Sequence, residues 1–256
     1  MANPTETDLY GHQLATLLAS WEANARGSAG AAVLRLGGVD AAVFPAEPER
    51  DIYNNAVLSR GLTPSERAAA IAAMESAYAC AGVERFAAWV HDTDGEAQAE
   101  LSARGYAIAE QTRAMAMALA DAELAVDDPP GVEIAAADWA EYLEYLRGFG
   151  LPRELLTGVD PHTYTVAVAR IDGETVATGL AFDHHGDCGI FNVSTMEPAR
   201  RRGIGTAVTA RLLRDAQARG RETASLQSTP VAENVYAALG FRDLGRFLEH
   251  APPRRG

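Results

Sequence analysis

The 256-residue sequence lacks the features that mark metal-bound, disulfide-bonded and membrane-spanning proteins. Its two cysteines, Cys80 and Cys188, are too few for a disulfide framework. No cysteine–histidine cluster has the spacing of a zinc site, so no metal is predicted. No apolar run approaches the roughly 20 residues of a membrane span. Residues 1–10 are polar and acidic, unlike a signal peptide, and a cytoplasmic location is therefore expected.

Positive charge is also scarce. The chain has 22 basic and 35 acidic residues, which gives a formal net charge of −13. This excess argues against broad binding to nucleic acid or to an anionic membrane. A polyanionic ligand would need a locally positive and well-directed site. Apolar residues make up 48% of the chain, which is enough for a hydrophobic core and too many for a disordered protein.

The first half alternates between helical and strand patterns. Thr63-Pro64-Ser65-Glu66 is a helix start, because threonine caps, proline fits the first turn and glutamate completes a capping box. The predicted elements are helix 5–27, strands 31–36, 41–44 and 53–58, helix 63–81, strand 85–91, helix 97–103 and strand 106–119.

The second half follows an acidic linker, 121–130, that ends in two prolines. Asp172-Gly173 is a strong hairpin signal, and a second turn is predicted at 184–187. The predicted elements are helix 139–149, a helical turn at 153–156, strands 164–170, 175–182 and 190–195, helix 203–219, strand 223–228, helix 231–239 and strand 241–249.

The two halves end alike. Each ends with a strand, a helix, a short segment containing a glycine and a long strand, and alignment of Gly105 with Gly240 gives an offset of 135 residues. Two copies of one fold, over 1–125 and 126–256, are therefore predicted. Chance similarity between two domains of mixed helices and strands is the alternative.

Residues 195–207 combine a strand end, three arginines, two glycines and a helix start. The first amides of a helix lack intrahelical partners and carry partial positive charge. Glycines let a phosphate approach such amides closely, and arginines add charge-assisted hydrogen bonds. A diphosphate site is one interpretation, and an ordinary basic helix start is the other.

The spacing favours the first interpretation. Arg200-x-x-Gly203-x-Gly205 resembles the Arg/Gln-x-x-Gly-x-Gly/Ala signature of the GNAT acetyltransferase superfamily, and it stands between a strand and a long helix as in that family. About 35 residues further on, the segment 232–241 resembles the family's second block, in which an alanine and a tyrosine precede Leu-Gly-Phe. The resemblance covers about residues 131–249. It implies an α/β (α+β) fold with a mixed, mostly antiparallel sheet flanked by helices, and acetyl-CoA as co-substrate.

The resemblance also implies roles for residues at matching positions. Backbone groups of Val193, Ser194 and Thr195 would hold the pantetheine arm, and the Val193 amide would stabilise the oxyanion. Tyr236 would protonate the leaving thiolate. Many relatives have an asparagine where this sequence has Thr229; Asn234 could replace it, or could simply cap the helix or be exposed. The predicted pyrophosphate ligands are Arg200, Arg201, Arg202, Gly203, Ile204, Gly205 and Thr206.

The general base is not assigned by the sequence. Glu197 borders the loop and fits a helix start better, and the turn containing His184 and His185 fits a solvated turn better than a base. A water relay would need no particular residue.

The first half departs from the family pattern. Pro64 and Glu66 stand at its long helix start, where they remove a donor and repel phosphate, and Leu101 aligns with Tyr236. We therefore expect a degenerate, non-catalytic copy that supports the fold and could line the acceptor pocket. Candidates for that lining, for each of which ordinary packing or turn formation is the favoured alternative, are Tyr53, Asn54, Asn55 and Trp89.

The expected activity is N-acetylation of a primary amine on a small molecule by direct attack on acetyl-CoA. The acidic composition would suit a cationic acceptor. The alternatives are a peptide or protein N-acetyltransferase, a transferase for another acyl group, and a sensor that binds acetyl-CoA without turnover. The sequence leaves a homodimer open.

Overall fold

The computed structural model describes residues 4–49, 52–148 and 156–253, which form two compact units. Unit 1 consists of Met1–Ser20 and Ala114–Leu244, and unit 2 consists of Trp21–Arg113 and Gly245–Gly256. Each unit is thus built from two separate stretches of chain. None of the helices in the described ranges is both long enough and apolar enough to cross a membrane.

The first half of the chain contains three helices and five strands, close to the predicted positions. The capping box at Thr63 forms as predicted: the Thr63 Oγ1 accepts from the Glu66 amide, and a Glu66 carboxylate oxygen accepts from the Thr63 amide. The elements are α1 Glu6–Arg26, β1 Ala32–Arg35, β2 Val39–Val43, β3 Asn55–Leu58, α2 Pro64–Cys80, β4 Ala87–His91, α3 Gly95–Ala103 and β5 Ala107–Ala118.

The second half contains one strand that the sequence analysis missed. β6 is alanine-rich, and alanine favours helix over strand, so only its pairing with a neighbouring strand reveals it. The predicted helical turn at 153–156 lies outside the described residues except for its last position. The elements are β6 Glu133–Ala137, α4 Trp139–Arg147, β7 Thr165–Ile171, β8 Glu174–His184, β9 Asp187–Thr195, α5 Ile204–Ala218, β10 Thr223–Ser228, α6 Glu233–Ala238 and β11 Arg242–Ala251.

In unit 1 the strand order is β5, β10, β9, β8, β7, β6. β10 and β9 are parallel, whereas β9, β8, β7 and β6 pair antiparallel in succession. The turn between β7 and β8 has positive φ at Asp172 and Gly173, as the predicted hairpin requires. Helix α5 packs on β7, β8 and β9, and its buried residues contribute much of the core.

In unit 2 the strand order is β1, β2, β3, β4, β11. β3 and β4 are parallel, and β11 lies antiparallel to β4 with Phe247 opposite His91. The core of this unit lies between α2 and the sheet and includes Ile71, Met74 and Tyr78.

The partition differs from a single boundary at residue 125. β5 enters unit 1 at Ala114, where Met115, Met117 and Leu119 join the core, and β11 enters unit 2 at Gly245. The last strand of each half therefore helps to complete the unit formed mainly by the other half. Which half is catalytic and which is degenerate remains a prediction.

Candidate active site

β9 and β10 separate where the predicted donor site begins. Their parallel pairing covers only Asp187–Gly189 of β9 and Thr223–Ser225 of β10. Beyond these residues β9 continues to Thr195 and β10 to Ser228 without pairing between them. The gap leaves backbone groups of both strands available to an extended ligand, which is the arrangement expected for a pantetheine arm.

A β-bulge interrupts β9 opposite β8. Leu180 pairs with Phe191 and Thr178 pairs with Ser194, so Gly179 alone faces both Asn192 and Val193. A Cβ at Gly179 would lie 3.0 Å from Val208 Cγ1 and 3.2 Å from Val193 Cγ2, so a larger residue there would require these side chains to shift. The bulge takes the Val193 peptide out of the regular ladder.

Two tyrosines of α4 contact this bulge. Asn192 Nδ2 donates to the Tyr142 hydroxyl at 2.8 Å, and Ser194 Oγ donates to the Tyr145 hydroxyl at 3.2 Å. Burial raises the pKa of Tyr145, partly opposed by the Ser194 hydrogen bond and the charge of Arg200. The sequence analysis missed both tyrosines. Their three-residue spacing, which places them on one face of a helix, was the available signal.

The arginine–glycine loop joins β9 to α5. Arg201 and Gly203 have φ values of 64° and 76°, and α5 begins directly afterwards at Ile204. No side chain in the described part of the chain caps this helix start, and its first turn has no acidic residue. The amides of Ile204, Gly205 and Thr206 are therefore left for an anionic ligand.

The three loop arginines are exposed and form no ion pair with a carboxylate among the described residues. Arg200 Nε donates to the Thr195 carbonyl at 2.9 Å, which joins the loop to the end of β9. Arg202 Nη2 donates to the Pro130 carbonyl at 3.5 Å. Three uncompensated guanidinium groups in a chain with a net charge of −13 form the local positive site that a polyanion requires.

The corresponding helix start in unit 2 differs. The Thr63–Glu66 capping box occupies the first turn of α2, and Pro64 lacks an amide hydrogen. Leu101, which aligns with Tyr236, is fully buried. The occupied first turn supports the prediction that the first copy binds no phosphate there, and Leu101 has no hydroxyl group that could replace that of Tyr236.

Tyr236 lies on α6 with 8% of its surface exposed, and its ring packs edge-on against Phe241 at 5.9 Å. Burial raises its pKa to about 12. No described residue forms a hydrogen bond with its hydroxyl group.

Thr229 and Asn234 are both exposed. The residue that caps α6 is Ala232, so the capping role considered for Asn234 is wrong.

The remaining candidates lie away from the bulge or form ordinary contacts. His184 and His185 form the turn before β9, about 20 Å along the strand from Val193 at roughly 3.3 Å per residue. Glu197 is exposed in the helical turn before the loop.

The polar residues of the first half have structural partners within unit 2. The Asn54 side chain accepts from the Phe44 amide and donates to the Glu47 carbonyl, while Trp89 Nε1 donates to Asn55 Oδ1. Tyr53 stacks at a tilt on Phe44. These contacts favour packing over ligand binding. No group of three or more potential metal ligands occurs within the ranges that the structure covers.

Comparison with known proteins agrees with this geometry. Residues 123–241 match the family described as Acetyltransferase (GNAT) family. No curated protein matches the chain. Among solved structures, a GCN5-related N-acetyltransferase from Kribbella flavida is similar, with a TM-score of 0.67 and 20% identity over 92% of this chain and 95% of that one.

Two further structures match nearly the whole chain. A GCN5-related N-acetyltransferase from Sphaerobacter thermophilus has a TM-score of 0.65 and 17% identity, with 99% of this chain and 95% of that chain covered. A tandem GNAT protein from the clavulanic acid biosynthesis pathway has a TM-score of 0.63 and 13% identity, with 100% and 98% covered. At these identities the similarity shows the fold, and it extends over both halves of the chain.

Proposed function

We propose that this chain, whose residues 123–241 match the acetyltransferase (GNAT) family, is an acyl-CoA-dependent acyltransferase that transfers the acetyl group of acetyl-CoA to a primary amine of a small molecule. The observation that carries this proposal is the uncapped start of α5 beside three arginines that form no ion pair among the described residues, at the end of a strand that has separated from its neighbour. We further propose that residues 126–256 supply the catalytic residues and that residues 1–125 do not.

The donor would lie along β9. The pyrophosphate binds the loop Arg200–Gly205 and the amide of Thr206, and the pantetheine arm follows the backbone of Val193, Ser194 and Thr195 between the separated strands. Thr229 and Asn234 are exposed beyond β10 and contribute contacts at the cofactor's edge. The thioester carbonyl then lies at the bulge, where the Val193 amide donates to its oxygen.

The reaction is a direct acyl transfer. The neutral amine nitrogen attacks the carbonyl carbon, the C–N bond forms, and the C–S bond breaks with the electron pair going to sulfur. The nitrogen loses one proton and the sulfur gains one, so the products are an N-acetylated amine and free coenzyme A. The nitrogen's proton leaves through water, since no carboxylate stands beside the bulge on β9.

Tyr236 would donate to the leaving sulfur. Its pKa of about 12 keeps the hydroxyl protonated at neutral pH. An unperturbed thiol has a pKa of roughly 8.5, so complete proton transfer from Tyr236 to a thiolate is uphill by about 3.5 pKa units. A hydrogen bond that stabilises the developing thiolate is therefore the favoured role, and the sulfur takes up, through water, the proton that the amine nitrogen loses.

The acceptor would be cationic. A cavity of about 440 Å³ adjoins Tyr145, and its lining residues are Glu141, Glu144, Tyr145, Arg147, Gly148, Gly173, Glu174, Thr175 and Met196. Arg170 pairs with Glu141 and Arg147 pairs with Glu144. Glu174 has no cationic partner in the described ranges and is free to bind an ammonium group.

A thiol-release assay tests the proposal. Acetyl-CoA binding is first measured by calorimetry, and a panel of small amines is then screened for release of free thiol. The 256 residues contain no lysine, so acetylation of the enzyme's own lysine side chains cannot contribute to the signal. Binding with turnover of a small amine supports the proposal. Turnover of peptides alone would favour a peptide or protein N-acetyltransferase, and turnover of longer acyl-CoA donors alone would favour a transferase for another acyl group. Binding of acetyl-CoA without any turnover would indicate a sensor.

A further inference from the structure

The two residues on either side of Val193 both form hydrogen bonds with side chains of α4. Asn192 donates its side-chain amide to the Tyr142 hydroxyl, and Ser194 donates its hydroxyl to the Tyr145 hydroxyl. The tyrosines lie three residues apart on one helix, and their partners lie two residues apart on one strand. The peptide groups of Val193 therefore lie between two residues whose side chains are both hydrogen-bonded to α4.

Asn192 needs such support because its backbone is in an uncommon conformation. Its φ is 51°, in the left-handed region that side chains other than glycine adopt infrequently. Asparagine tolerates this region better than most residues, and a hydrogen bond to a fixed partner holds it there. Loss of the partner would let the bulge relax toward regular strand geometry.

The hydroxyl groups have a purpose beyond filling space. Tyr142 is fully buried, and phenylalanine would fill nearly the same volume without a polar atom to satisfy. Its hydroxyl takes a hydrogen bond from the bulge residue across a separation of 50 residues in sequence. A hydroxyl at this position therefore serves the geometry of the bulge.

We propose that Tyr142 and Tyr145 are positioning residues, which act through Asn192 and Ser194 to aim the Val193 amide at the thioester oxygen. This inference rests on the proposed function, because it takes the Val193 amide as the oxyanion donor. The contribution of such a donor depends on its geometry before the reaction starts. A small rotation of this peptide would weaken the hydrogen bond to the oxyanion while leaving the phosphate loop unchanged.

Removal of each hydroxyl tests the proposal. Tyr142→Phe and Tyr145→Phe should each lower kcat about tenfold, a partial loss compared with removing an oxyanion donor altogether. The acetyl-CoA Kd should stay within about twofold, because both hydrogen bonds are made to β9 and not to the loop Arg200–Gly205. Tyr78→Phe is the matched control: its buried hydroxyl donates to the Ala42 carbonyl in unit 2, so its loss should leave kcat unchanged.

A double-mutant cycle separates positioning from packing. Glycine adopts a positive φ without a side-chain tether, so Asn192→Gly removes the partner of Tyr142 and relieves the strain. Tyr142→Phe should then cause no further loss of kcat in the Asn192→Gly background. Ser194→Ala should likewise reproduce the effect of Tyr145→Phe, and the two changes together should equal either one alone.

The outcomes distinguish the two proposals. If wild-type protein acetylates an amine and both phenylalanine variants match its kcat, the positioning role is overturned and the proposed function stands. An undiminished effect of Tyr142→Phe in the Asn192→Gly background also overturns it, because the effect would then come from packing. If wild-type protein acetylates no amine, the proposed function fails. The acetyl-CoA-induced NMR shift of the Val193 amide then decides: persistence of that shift in the Tyr142→Phe/Tyr145→Phe double variant overturns the positioning role, and its loss supports it.

Discussion

A negative charge at Gly205 should weaken donor binding without destabilising the fold. Gly205 is the second residue of α5, and a Cβ there would have Thr195 Oγ1 at 3.8 Å and Val193 Cγ1 at 3.9 Å as its nearest neighbours. These are ordinary contact distances, so a side chain fits. Gly205→Asp would then place a carboxylate at the helix start, beside the proposed pyrophosphate.

The two effects of this substitution have opposite signs. A carboxylate about 4 Å from a phosphate charge is repelled by about 4 kcal/mol at an effective dielectric of 20. Halving this for solvent exposure leaves about 2 kcal/mol, or roughly a 30-fold increase in the acetyl-CoA Kd. The same carboxylate interacts favourably with the helix dipole by about 0.5 kcal/mol, so Tm should rise by about 1–2 °C.

Matched variants isolate the charge. Gly205→Ala tests the space alone, and we expect its Kd to stay within about threefold of wild type. Gly205→Asn has the shape of aspartate without its charge, so the ratio of the Asp and Asn Kd values reports the electrostatic part. That ratio should shrink at high salt because the site is exposed. Equal Kd values for Gly205→Asp and Gly205→Asn in calorimetry would show that no phosphate binds here.

Three further predictions concern Tyr236, the fold and the arginine–glycine loop. Tyr236→Phe should lower kcat at least tenfold with an unchanged acetyl-CoA Kd. Because the pKa of Tyr236 is raised to about 12, its hydroxyl stays protonated at lower pH. In a pH series, wild-type kcat should therefore rise as the acceptor amine loses its proton, and it should show no decrease at any pH below about 10. A fragment of residues 126–256 should show no folded structure by circular dichroism, because it lacks Met115, Met117 and other core residues of unit 1, whose burial stabilises the fold by about 1.5–3 kcal/mol each. Co-expression with residues 1–125 should restore activity, whereas a stable, active fragment would contradict the exchange of strands. Gly203→Ala should cost about 1–2 kcal/mol in urea unfolding because φ at this residue is 76°, whereas an unchanged free energy of unfolding would mean that the loop adopts another conformation.

Strand exchange shows where sequence patterns stop being informative. The long strands β5 and β11 were predicted at nearly their observed positions, since Gly105 and Gly240 mark their starts. Their partners were not predictable, because an alternating or alanine-rich strand fits many neighbours equally well. A single boundary at residue 125 assumed that each copy keeps its own last strand.

The proposed donor loop could be predicted from the sequence because it is local. Arg200 to Thr206 are consecutive, and a phosphate site made from successive backbone amides and glycines at a helix start leaves its pattern in one short stretch. The hairpin at Asp172-Gly173 and the capping box at Thr63 were predictable for the same reason.

The geometry at the proposed reaction centre was decided only by the tertiary structure. The bulge at Asn192 and Val193 depends on its register with β8, and its two tethers come from tyrosines 49 and 50 residues away in sequence. The raised pKa of Tyr236 likewise comes from burial, which no neighbouring residue in the sequence encodes. Nearest neighbours along the chain determine where a diphosphate can bind, whereas packing between distant segments determines how a peptide group or a hydroxyl is aimed.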